Sequence, residues 1–436
     1  MLKRLVWSTF FMPAAATLAD WKAASVPDFL AERSRQELAR LGNPGWWGPP
    51  DLEALAELMQ LAAAEGWRIL PAGRGTRLDW GGLGHPVDAV ISTAACDRLI
   101  EHAAADLTVT VEAGMTLGQL QTILAETGQW LPFDPIAGES SSLGALVSTG
   151  MSGSLRHRYG SLRDFLIGIT FLRHDGQWAK GGGRVVKNVA GYDMMKLLHG
   201  AWGSLGLIGK LTFRTYPLPN AWGTIACQGD REAILQLRSQ LVRSDLTPVA
   251  FDLLSPAAAA ELELRSQWTV LLRFGSVAAS VQEQQQVVEL QATRLGLAAM
   301  TVAEPVWGQL NQSFEPRSRS ATLIKFALLP SQLPCLLAEL EAIAPTALGR
   351  VHAASGAGWL VWPEAEPTVE TLLRLRRHCE VAEGFLSVPA ASVSLKQQLD
   401  IWGYPGQGLA VMRAIKRQFD PQSRLAPGRF LAGLEE

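Results

Sequence analysis

Glycine and serine are concentrated in three short segments of the first half of the chain, and their spacing limits the folds that this chain can adopt. The first segment, PAGRGT (71–76), follows a predicted strand. The second is SSSLGA (140–145), and the third, GAWGSLG (200–206), has a glycine at every third position just before another predicted strand. Bare backbone can approach a ligand closely, and successive N–H groups can bind an anion. Each segment alone could be a plain tight turn, so the evidence lies in their combination.

Several common ligand-binding motifs are absent from the sequence. No GxxxxGK[ST] phosphate loop occurs, and no GxGxxG lies between a strand and a helix near the start of the chain. These absences argue against a Walker A nucleotide site and against an ordinary Rossmann dinucleotide site. The sequence has neither HExxH nor a cluster of cysteine and histidine, so no metal site is predicted.

The composition is that of a packed globular protein of more than one domain. A chain of 436 residues suggests two or three domains, because single cores stop growing at roughly 250–300 residues. The net charge of −2 argues against a general nucleic-acid binder, which usually has a basic excess. The four cysteines are far apart and form no CxxC pair, which fits a reducing, cytoplasmic compartment.

The first 20 residues, MLKRLVWSTFFMPAAATLAD, have the outline of a secretory signal, with a basic start, an apolar run and small residues. Pro13 interrupts the apolar run, which is also shorter than the roughly 18 residues that mark a membrane span. We therefore expect an N-terminal extension and no transmembrane segment. A cleaved signal and an upstream start artefact remain alternatives.

Local patterns predict many elements of the first half of the chain. Asp51 suits the start of one helix, and Thr116 suits the start of another that ends near Gly128. The Asp-Gly pair at 175–176 predicts a hairpin turn. Asp193 is expected to cap a short helix.

Two further regions show different patterns. Residues 132–165 lack a long apolar period, so we expect a functional loop with one helical turn near 143–147. Pro217 and Pro219 mark a domain boundary. From about 220 to 400, predicted strands and helices alternate, as in a sheet covered by helices on one face. No internal repeat stands out.

Six motifs in order resemble the FAD-binding fold of the vanillyl-alcohol oxidase family, also called the PCMH-type FAD domain. They are RILPAGRGTRLDWGG, VTVEAGMTLGQLQTIL, LPFDPIAGESSSLGALVSTGMSG, RYGSLRDFLIGITFLRHDG, VVKNVAGYDMMKLLHGAWGSLGLI and FDPQSRLAPGRF. The likeness is close over residues 45–218. At the C-terminus it rests on the single motif FDPQSRLAPGRF. Within the family, VVKNVAGYD followed by GSLGLI is most similar to the FAD-binding E subunits of bacterial glycolate oxidase.

The resemblance implies an α+β class: a two-subdomain PCMH-type FAD-binding fold with an α/β, ferredoxin-like cap domain. The implied domain plan has four parts. They are an N-terminal extension (1–45), the FAD-binding domain (46–218), a cap or substrate domain (219–405) and a C-terminal segment that returns to the FAD domain (406–436).

The implied cofactor is non-covalent FAD, because the first loop lacks the histidine through which many members attach their flavin. Residues 72–76 would hold the pyrophosphate, residues 135–145 would run beside the flavin and ribitol, and Gly203 and Gly206 would pass close to the adenine side. The residues assigned to the cofactor are Ala72, Gly73, Arg74, Gly75, Thr76, Pro135, Gly138, Ser141, Ser142, Gly144, Ala145, Ser148, Gly153, Gly203, Gly206 and Ile208.

Catalytic residues are harder to assign, and the segment LRHRYG (155–160) supplies the candidates Arg156, Arg158 and Tyr159. An arginine could bind a substrate carboxylate with two hydrogen bonds, and a tyrosine could move a proton. The alternative is a solvated basic loop. The cap lacks the histidine-rich metal motif of the catalytic D-type subunits.

The implied function is that of the FAD-binding subunit of a complex that oxidises a 2-hydroxy acid such as glycolate, together with other flavoprotein and iron–sulfur subunits. One alternative is a stand-alone FAD dehydrogenase for another hydroxylated substrate. The other is a flavin-binding partner subunit with little turnover of its own.

Overall fold

The computed structural model describes residues 21, 22, 27, 28, 30–184, 191–318, 320–403, 406–431 and 434. The segment VVKNVA (185–190), which contributes to the family resemblance, lies outside the described residues, as do the first 20 residues.

A small parallel sheet with two helices begins the described part of the chain. Its strand order is β1-β3-β2, and Asp51 accepts a hydrogen bond from the N–H of Ala54, as predicted for a helix start. The apolar face of the second helix packs onto Ile69 and Ile91 of the sheet. The elements are α1 (Glu32–Arg40), β1 (Gly45–Trp47), α2 (Leu52–Ala64), β2 (Ile69–Ala72) and β3 (Ala89–Ser92).

A five-stranded antiparallel sheet follows, in the order β4-β5-β9-β7-β8. Thr116 forms the predicted cap in a capping box with Gln119, and Gly176 turns the predicted hairpin with a φ of +74°. Asp193 also caps its helix as predicted. The elements are β4 (Leu99–Ala103), β5 (Thr108–Glu112), α3 (Leu117–Ala125), β6 (Gln129–Trp130), α4 (Leu143–Thr149), α5 (Arg156–Tyr159), α6 (Leu162–Phe165), β7 (Leu166–Leu172), β8 (Trp178–Gly182), α7 (Met194–Leu198), β9 (Leu207–Arg214) and β10 (Tyr216–Pro217).

The expected loop at 132–165 contains more regular structure than its sequence pattern suggested. The helical turn near 143–147 is present as α4, but α5 and α6 are additional four-residue helices. A capping box formed by Ser161 and Asp164 starts α6. Such short helices give too few residues for an apolar period to be visible in the sequence.

The cap contains an eight-stranded antiparallel sheet in the order β14-β11-β13-β12-β16-β17-β15-β18. Each half follows the β-α-β-β-α-β path of a ferredoxin-like unit, and the two halves join where β12 pairs with β16. The elements are β11 (Ala221–Gly229), α8 (Arg231–Val242), β12 (Ala250–Leu254), α9 (Pro256–Ala260), β13 (Trp268–Ser276), α10 (Ala278–Arg294), β14 (Ala298–Val302), α11 (Val306–Ser313), β15 (Thr322–Ala327), α12 (Leu333–Ile343), β16 (Leu348–His352), β17 (Ala357–Trp362), α13 (Val369–Val381) and β18 (Phe385–Ala390).

The two faces of the cap sheet have different partners. The long helices α8, α10, α12 and α13 pack on one face, as expected. On the other face, buried side chains of the cap pack against Trp80, Ile136 and Met151 of the preceding domain, and the short helices α9 and α11 also lie on this side. The interface between the domains is therefore formed by the open face of the cap sheet.

The C-terminal segment packs on the domain that contains the first two sheets. It contains α15 (Leu409–Phe419), while α14 (Val393–Gln398) precedes it, directly after the cap sheet. Leu425 forms a parallel bridge with Ile69 of β2, and the buried Lys416 donates from Nζ to the carbonyl of Ser204 at 3.0 Å and to Asp420 at 2.6 Å. These contacts attach the end of the chain beside the first and third glycine segments.

Candidate cofactor groove and active site

The loop after β2 has unused backbone donors. The N–H groups of residues 74–76 have no acceptor in the part of the chain that the structure describes, and Gly75 has a φ of +75°. A Cβ on Gly73 would overlap Ser142 Oγ and lie 2.9 Å from Ser142 Cβ. The loop is thus packed tightly against the start of α4, and its free N–H groups suit an anion such as a pyrophosphate.

The three glycine segments meet along one open groove. This convergence places the anion-binding loop on the same surface as the other two segments. Of the residues predicted to contact a cofactor, those that line the groove are Ala72, Gly73, Gly75, Thr76, Gly144, Ala145, Ser148, Gly203, Gly206 and Ile208.

The other predicted cofactor residues do not line this groove; they are Arg74, Pro135, Gly138, Ser141, Ser142 and Gly153. Ser141 and Ser142 are fully buried, and Ser142 caps α4. Gly138 packs against Pro135, and a Cβ on Gly153 would overlap the carbonyl oxygen of Asp134. Five of these residues, all except Arg74, therefore shape the loop that supports the groove.

The expectation of free backbone donors in the second segment is wrong. The N–H groups of Ser141, Leu143 and Gly144 donate to carbonyls of Gly138, Met115 and Ala113 at 3.0, 2.8 and 2.9 Å. The segment folds into the start of a helix against neighbouring backbone, and this uses the donors internally.

Two buried arginines in the groove wall were missed in the sequence. Arg77 donates to Ser141 Oγ at 2.8 Å and to the carbonyl of Ile136 at 3.0 Å, while its Nε has no partner among the described residues. Burial lowers the pKa of Arg77 to about 10, so it is still a cation at neutral pH. Arg429 donates to the carbonyl of Arg77 at 3.0 Å. Arg77 lies in the motif GRGTR and Arg429 lies in LAPGR. The prediction for these motifs rested on their glycines and not on the arginines.

Trp202 connects two walls of the groove. Its N–H donates to the carbonyl of Ser148 at 2.9 Å, and its backbone has a φ of +55°, which is uncommon for a bulky residue. Its ring contacts Trp402 edge to face, with centroids 5.0 Å apart. Trp202 also lines the groove itself.

A buried cation from the cap lies beside one end of the groove. Lys325 of β15 reaches the carbonyl of Gly150, with Nζ 3.5 Å from the oxygen, and Gly150 directly follows the groove residue Thr149. Burial, assisted by the charge of Arg156, lowers the pKa of Lys325 to about 8. No carboxylate forms an ion pair with Lys325 in the described part of the chain. This cation is therefore available to an anionic ligand.

An imidazole lies next to the same glycine. A Cβ on Gly150 would lie 3.2 Å from His199 Cε1, and His199 Nε2 is buried without a hydrogen-bond partner among the described residues. Burial, followed by the charges of Lys325 and Arg163, lowers the pKa of His199 to about 4. We call Gly150, His199 and Lys325 the interdomain site.

The predicted catalytic candidates occupy three different environments. Arg156 is half-buried, and its charge acts on Lys325. Arg158 is exposed. Tyr159 packs edge to face on Trp130 and Tyr216, and burial raises its pKa. Of the three, Arg156 is the one that the structure associates with the interdomain site.

A second polar cluster connects the long loop to the cap sheet. Asp252 accepts from Arg350 Nε at 2.8 Å and is 2.8 Å from His352 Nδ1. Burial opposes the charge of Asp252, but Arg350 and His352 outweigh it and hold the pKa of this carboxyl well below its usual range. We call this group the Asp252 cluster; its members are Asp134, Ser154, Asp252, Asn311, Arg350 and His352.

The described residues contain neither a candidate metal site nor a candidate membrane span. No three His, Cys, Asp or Glu side chains there come together in a group that could hold a metal ion. None of the described helices is long and apolar enough to cross a membrane.

Comparison with known proteins identifies the fold around the groove. A protein-family model described as FAD binding domain matches residues 48–182. This part of the chain therefore resembles FAD-binding domains. The match includes the free-donor loop and α4, and it identifies FAD as the cofactor of this domain.

Several curated proteins match parts of the chain. Glycolate oxidase subunit GlcE of Escherichia coli is 34% identical over 141 residues, which are 32% of this chain and 40% of that protein. A probable mitochondrial D-lactate dehydrogenase of Danio rerio is 33% identical over 183 residues, or 41% of this chain and 36% of the relative. The chain thus matches less than half the length of these two relatives. Glycolate oxidase subunit GlcD of Bacillus subtilis is 24% identical, with 88% of both chains covered.

A solved structure has the same overall architecture. An alkyldihydroxyacetonephosphate synthase superposes with a TM-score of 0.65 at 14% identity, covering 88% of this chain and 77% of that one. This likeness supports the two-subdomain fold of the FAD-binding domain with its cap, as expected from the sequence.

Proposed function

We propose that this protein is the FAD-binding subunit of a complex that oxidises a 2-hydroxy acid. The observation that carries the proposal is the position of Lys325, a buried cation without a carboxylate partner in the described structure, beside the end of the cofactor groove. Names of the relatives, which include glycolate oxidase subunits and a D-lactate dehydrogenase, support this substrate class.

FAD fits the groove through the chemistry of its walls. The free N–H groups of residues 74–76, with the guanidinium groups of Arg77 and Arg429 nearby, suit the two negative charges of the pyrophosphate. Glycines at 144, 203 and 206 present bare backbone to the groove, along which the rest of the cofactor would lie. We extend this role to the other predicted cofactor residues that line the groove, while those outside it support its shape.

FAD binding is proposed to be non-covalent. The residues that line the groove include no histidine or cysteine, the side chains that most often attach a flavin. Acid or heat treatment of the purified yellow protein should therefore release FAD into the supernatant. Flavin that stays with the precipitated protein would reject this part of the proposal.

The substrate carboxylate is proposed to bind at Lys325. A bound 2-hydroxy acid would supply the missing anion, and the half-buried Arg156 would add a second positive charge. Bound FAD supplies the hydride acceptor. The protein's residues orient the substrate between the cap and the groove and keep the carboxylate charged and fixed.

The subunit role and the location are also proposals. The chain has four separated cysteines and no cluster to hold an iron–sulfur centre, so electrons would leave through adjoining flavoprotein and iron–sulfur subunits. We place the complex in the cytoplasm, and we retain the domain boundaries near 45, 218 and 405 as proposed units.

Anaerobic mixing of the FAD-loaded protein with glycolate or D-lactate tests the substrate class. Bleaching of one flavin per chain is expected, and glycerol, which lacks the carboxylate, should leave the flavin oxidised. If neither acid reduces a fully loaded flavin, the oxidation of 2-hydroxy acids by this chain is rejected, and the role of a non-catalytic flavin-binding partner subunit takes its place.

A further inference from the structure

Oxidation of a 2-hydroxy acid needs two acceptors. The hydride leaves the carbon that carries the hydroxyl group, and the proton leaves the hydroxyl oxygen. A bound flavin accounts for the hydride, but the proton needs a base within hydrogen-bond reach of the substrate oxygen. That base must be unprotonated before the reaction and must have no other partner.

His199 meets both requirements. Its Nε2 is buried and has no hydrogen-bond partner in the described part of the chain, although a buried ring nitrogen is normally satisfied. The imidazole is neutral at physiological pH because burial and nearby cations disfavour its protonated form. In the neutral tautomer that carries its proton on Nδ1, the unpartnered Nε2 can accept a proton from a ligand.

The position of His199 links the groove to the interdomain site. The groove residues Trp202 and Gly203 lie three and four positions further along the chain, and the His199 ring lies beside Gly150, which directly follows the groove residue Thr149. The charge of Lys325 also acts on the ring. A carboxylate at Lys325 would therefore bring the neighbouring hydroxyl group towards His199.

Other bases near the cap interface either have a hydrogen-bond partner or pack against aromatic rings. His352 Nδ1 is 2.8 Å from Asp252, and Tyr159 packs inside an aromatic cluster. The ring of His157 packs edge to face on Phe251. The charge of the exposed Asp164 raises the pKa of His199, but this carboxylate accepts hydrogen bonds from the N–H and the hydroxyl of Ser161 in a capping box.

We propose that His199 Nε2 is the proton acceptor for the substrate hydroxyl group, an inference that rests on the proposed oxidation of a 2-hydroxy acid. The O–H bond breaks as the proton moves to Nε2, and its electron pair becomes the second bond of the carbonyl group. The hydrogen on the carbon would leave with the C–H electron pair as the hydride that bound FAD accepts, which gives a 2-keto acid. The imidazolium ion then returns its proton to solvent, helped by the positive charges of Lys325 and Arg163.

Anaerobic stopped-flow reduction of the FAD-loaded full chain tests this role. His199→Asn should lower the rate of flavin reduction by about 10²–10⁴-fold, the usual contribution of a general base. FAD content and the affinity for oxalate, which has no hydroxyl proton to give, should stay within about twofold of wild type. His174→Gln is the matched control, because His174 is also half-buried with an unpartnered ring nitrogen in the described structure but lies at the hairpin turn.

A second variant provides an independent readout. His199→Ala leaves space for a free imidazole, and added imidazole should raise its reduction rate at least tenfold, with the increase following the neutral form of the imidazole. A structural role would not produce this rescue. The proposal is overturned if His199→Asn reduces flavin at a rate within threefold of wild type, or if both variants lose FAD and oxalate binding and imidazole rescues neither. Failure of the wild type itself to be reduced would instead reject the substrate class, and His199 as its base would be rejected with it.

Discussion

Arg350 and Asp252 form an ion pair at 2.8 Å inside the domain interface, and both side chains are 0% exposed. Arg350 also contacts Ser154 of the long loop, and the N–H groups of Ser154 and Leu155 donate to Asp134 of the same loop. The pair therefore connects a cap strand to the segment that follows Gly150. Removing one partner leaves a buried charge without compensation.

Asp252→Asn should lower the free energy of unfolding by about 3–5 kcal/mol, because it leaves the Arg350 cation buried beside a neutral amide. Urea denaturation measures the change. Glu339→Gln, which breaks the exposed pair with Arg374, is the control and should cost less than about 1 kcal/mol. Equal effects of the two substitutions would show that the buried pair has no special role.

Gly73→Ala should abolish FAD retention, because the new Cβ would overlap Ser142 Oγ and displace the loop with the free N–H groups. Adding Ser142→Gly removes the obstructing side chain and should restore most FAD binding, since glycine at a helix N-cap costs only a few tenths of a kcal/mol. Gly308→Ala is the control, because nothing lies within 4 Å of its Cβ position. FAD content by absorbance decides the outcome, and full occupancy in the Gly73→Ala protein would contradict the placement of the cofactor.

Affinity for oxalate should fall as the pH rises above about 8, the pKa to which burial lowers Lys325. Below that pH the ammonium is charged and binds the anion. Above that pH, Lys325 of the free protein loses its positive charge. The affinity for oxalate should then fall by up to about tenfold for each further pH unit. Titration of the flavin spectrum with oxalate from pH 6.5 to 9.5 measures the trend.

Lys325→Arg separates this residue from the other groups that titrate in the same range. A guanidinium stays charged throughout, so the fall near pH 8 should disappear in this variant. Persistence of the fall would assign it to another residue, for example the buried Lys396, whose pKa is also lowered to about 8 by burial.

Sustained turnover should depend on partner subunits, because the chain has no cysteine cluster that could carry electrons away from a reduced flavin. The isolated chain is expected to show little glycolate-dependent reduction of an artificial dye. Co-expression with a second flavoprotein subunit and an iron–sulfur subunit should give clear activity. Rapid turnover by the chain alone would favour a stand-alone dehydrogenase.

The sequence predicted the local structure well where the signal lay within a few residues. Thr116 and Asp193 are N-caps, and the Asp-Gly pair at 175–176 turns a hairpin, because capping and turn preferences act over two to four positions. The same reasoning failed for Leu143 and Gly144, whose N–H groups look free in the sequence. Their acceptors belong to other parts of the chain, and only the fold brings these carbonyls close.

The duplication in the cap was also invisible in the sequence. Two ferredoxin-like units share a strand order, but a strand order is defined by hydrogen-bonding partners rather than by residue identity. Many different apolar side chains can occupy the buried positions of strands that share one topology. The two units can therefore share this topology without a repeat in their sequences.

The sequence by itself determined the glycine segments, the caps and turns between them, and the cofactor class, because these depend on backbone freedom and short-range hydrogen bonds. Tertiary structure alone decided which charged groups meet. Asp252 and Arg350 are 98 residues apart, and Lys325 approaches Gly150 across 175 residues. Burial in that interface, rather than residue type, lowers the pKa of Lys325 and of His199. Burial lowers the pKa of a basic group because the charged form loses its hydration. Here the packing of the cap sheet causes that burial.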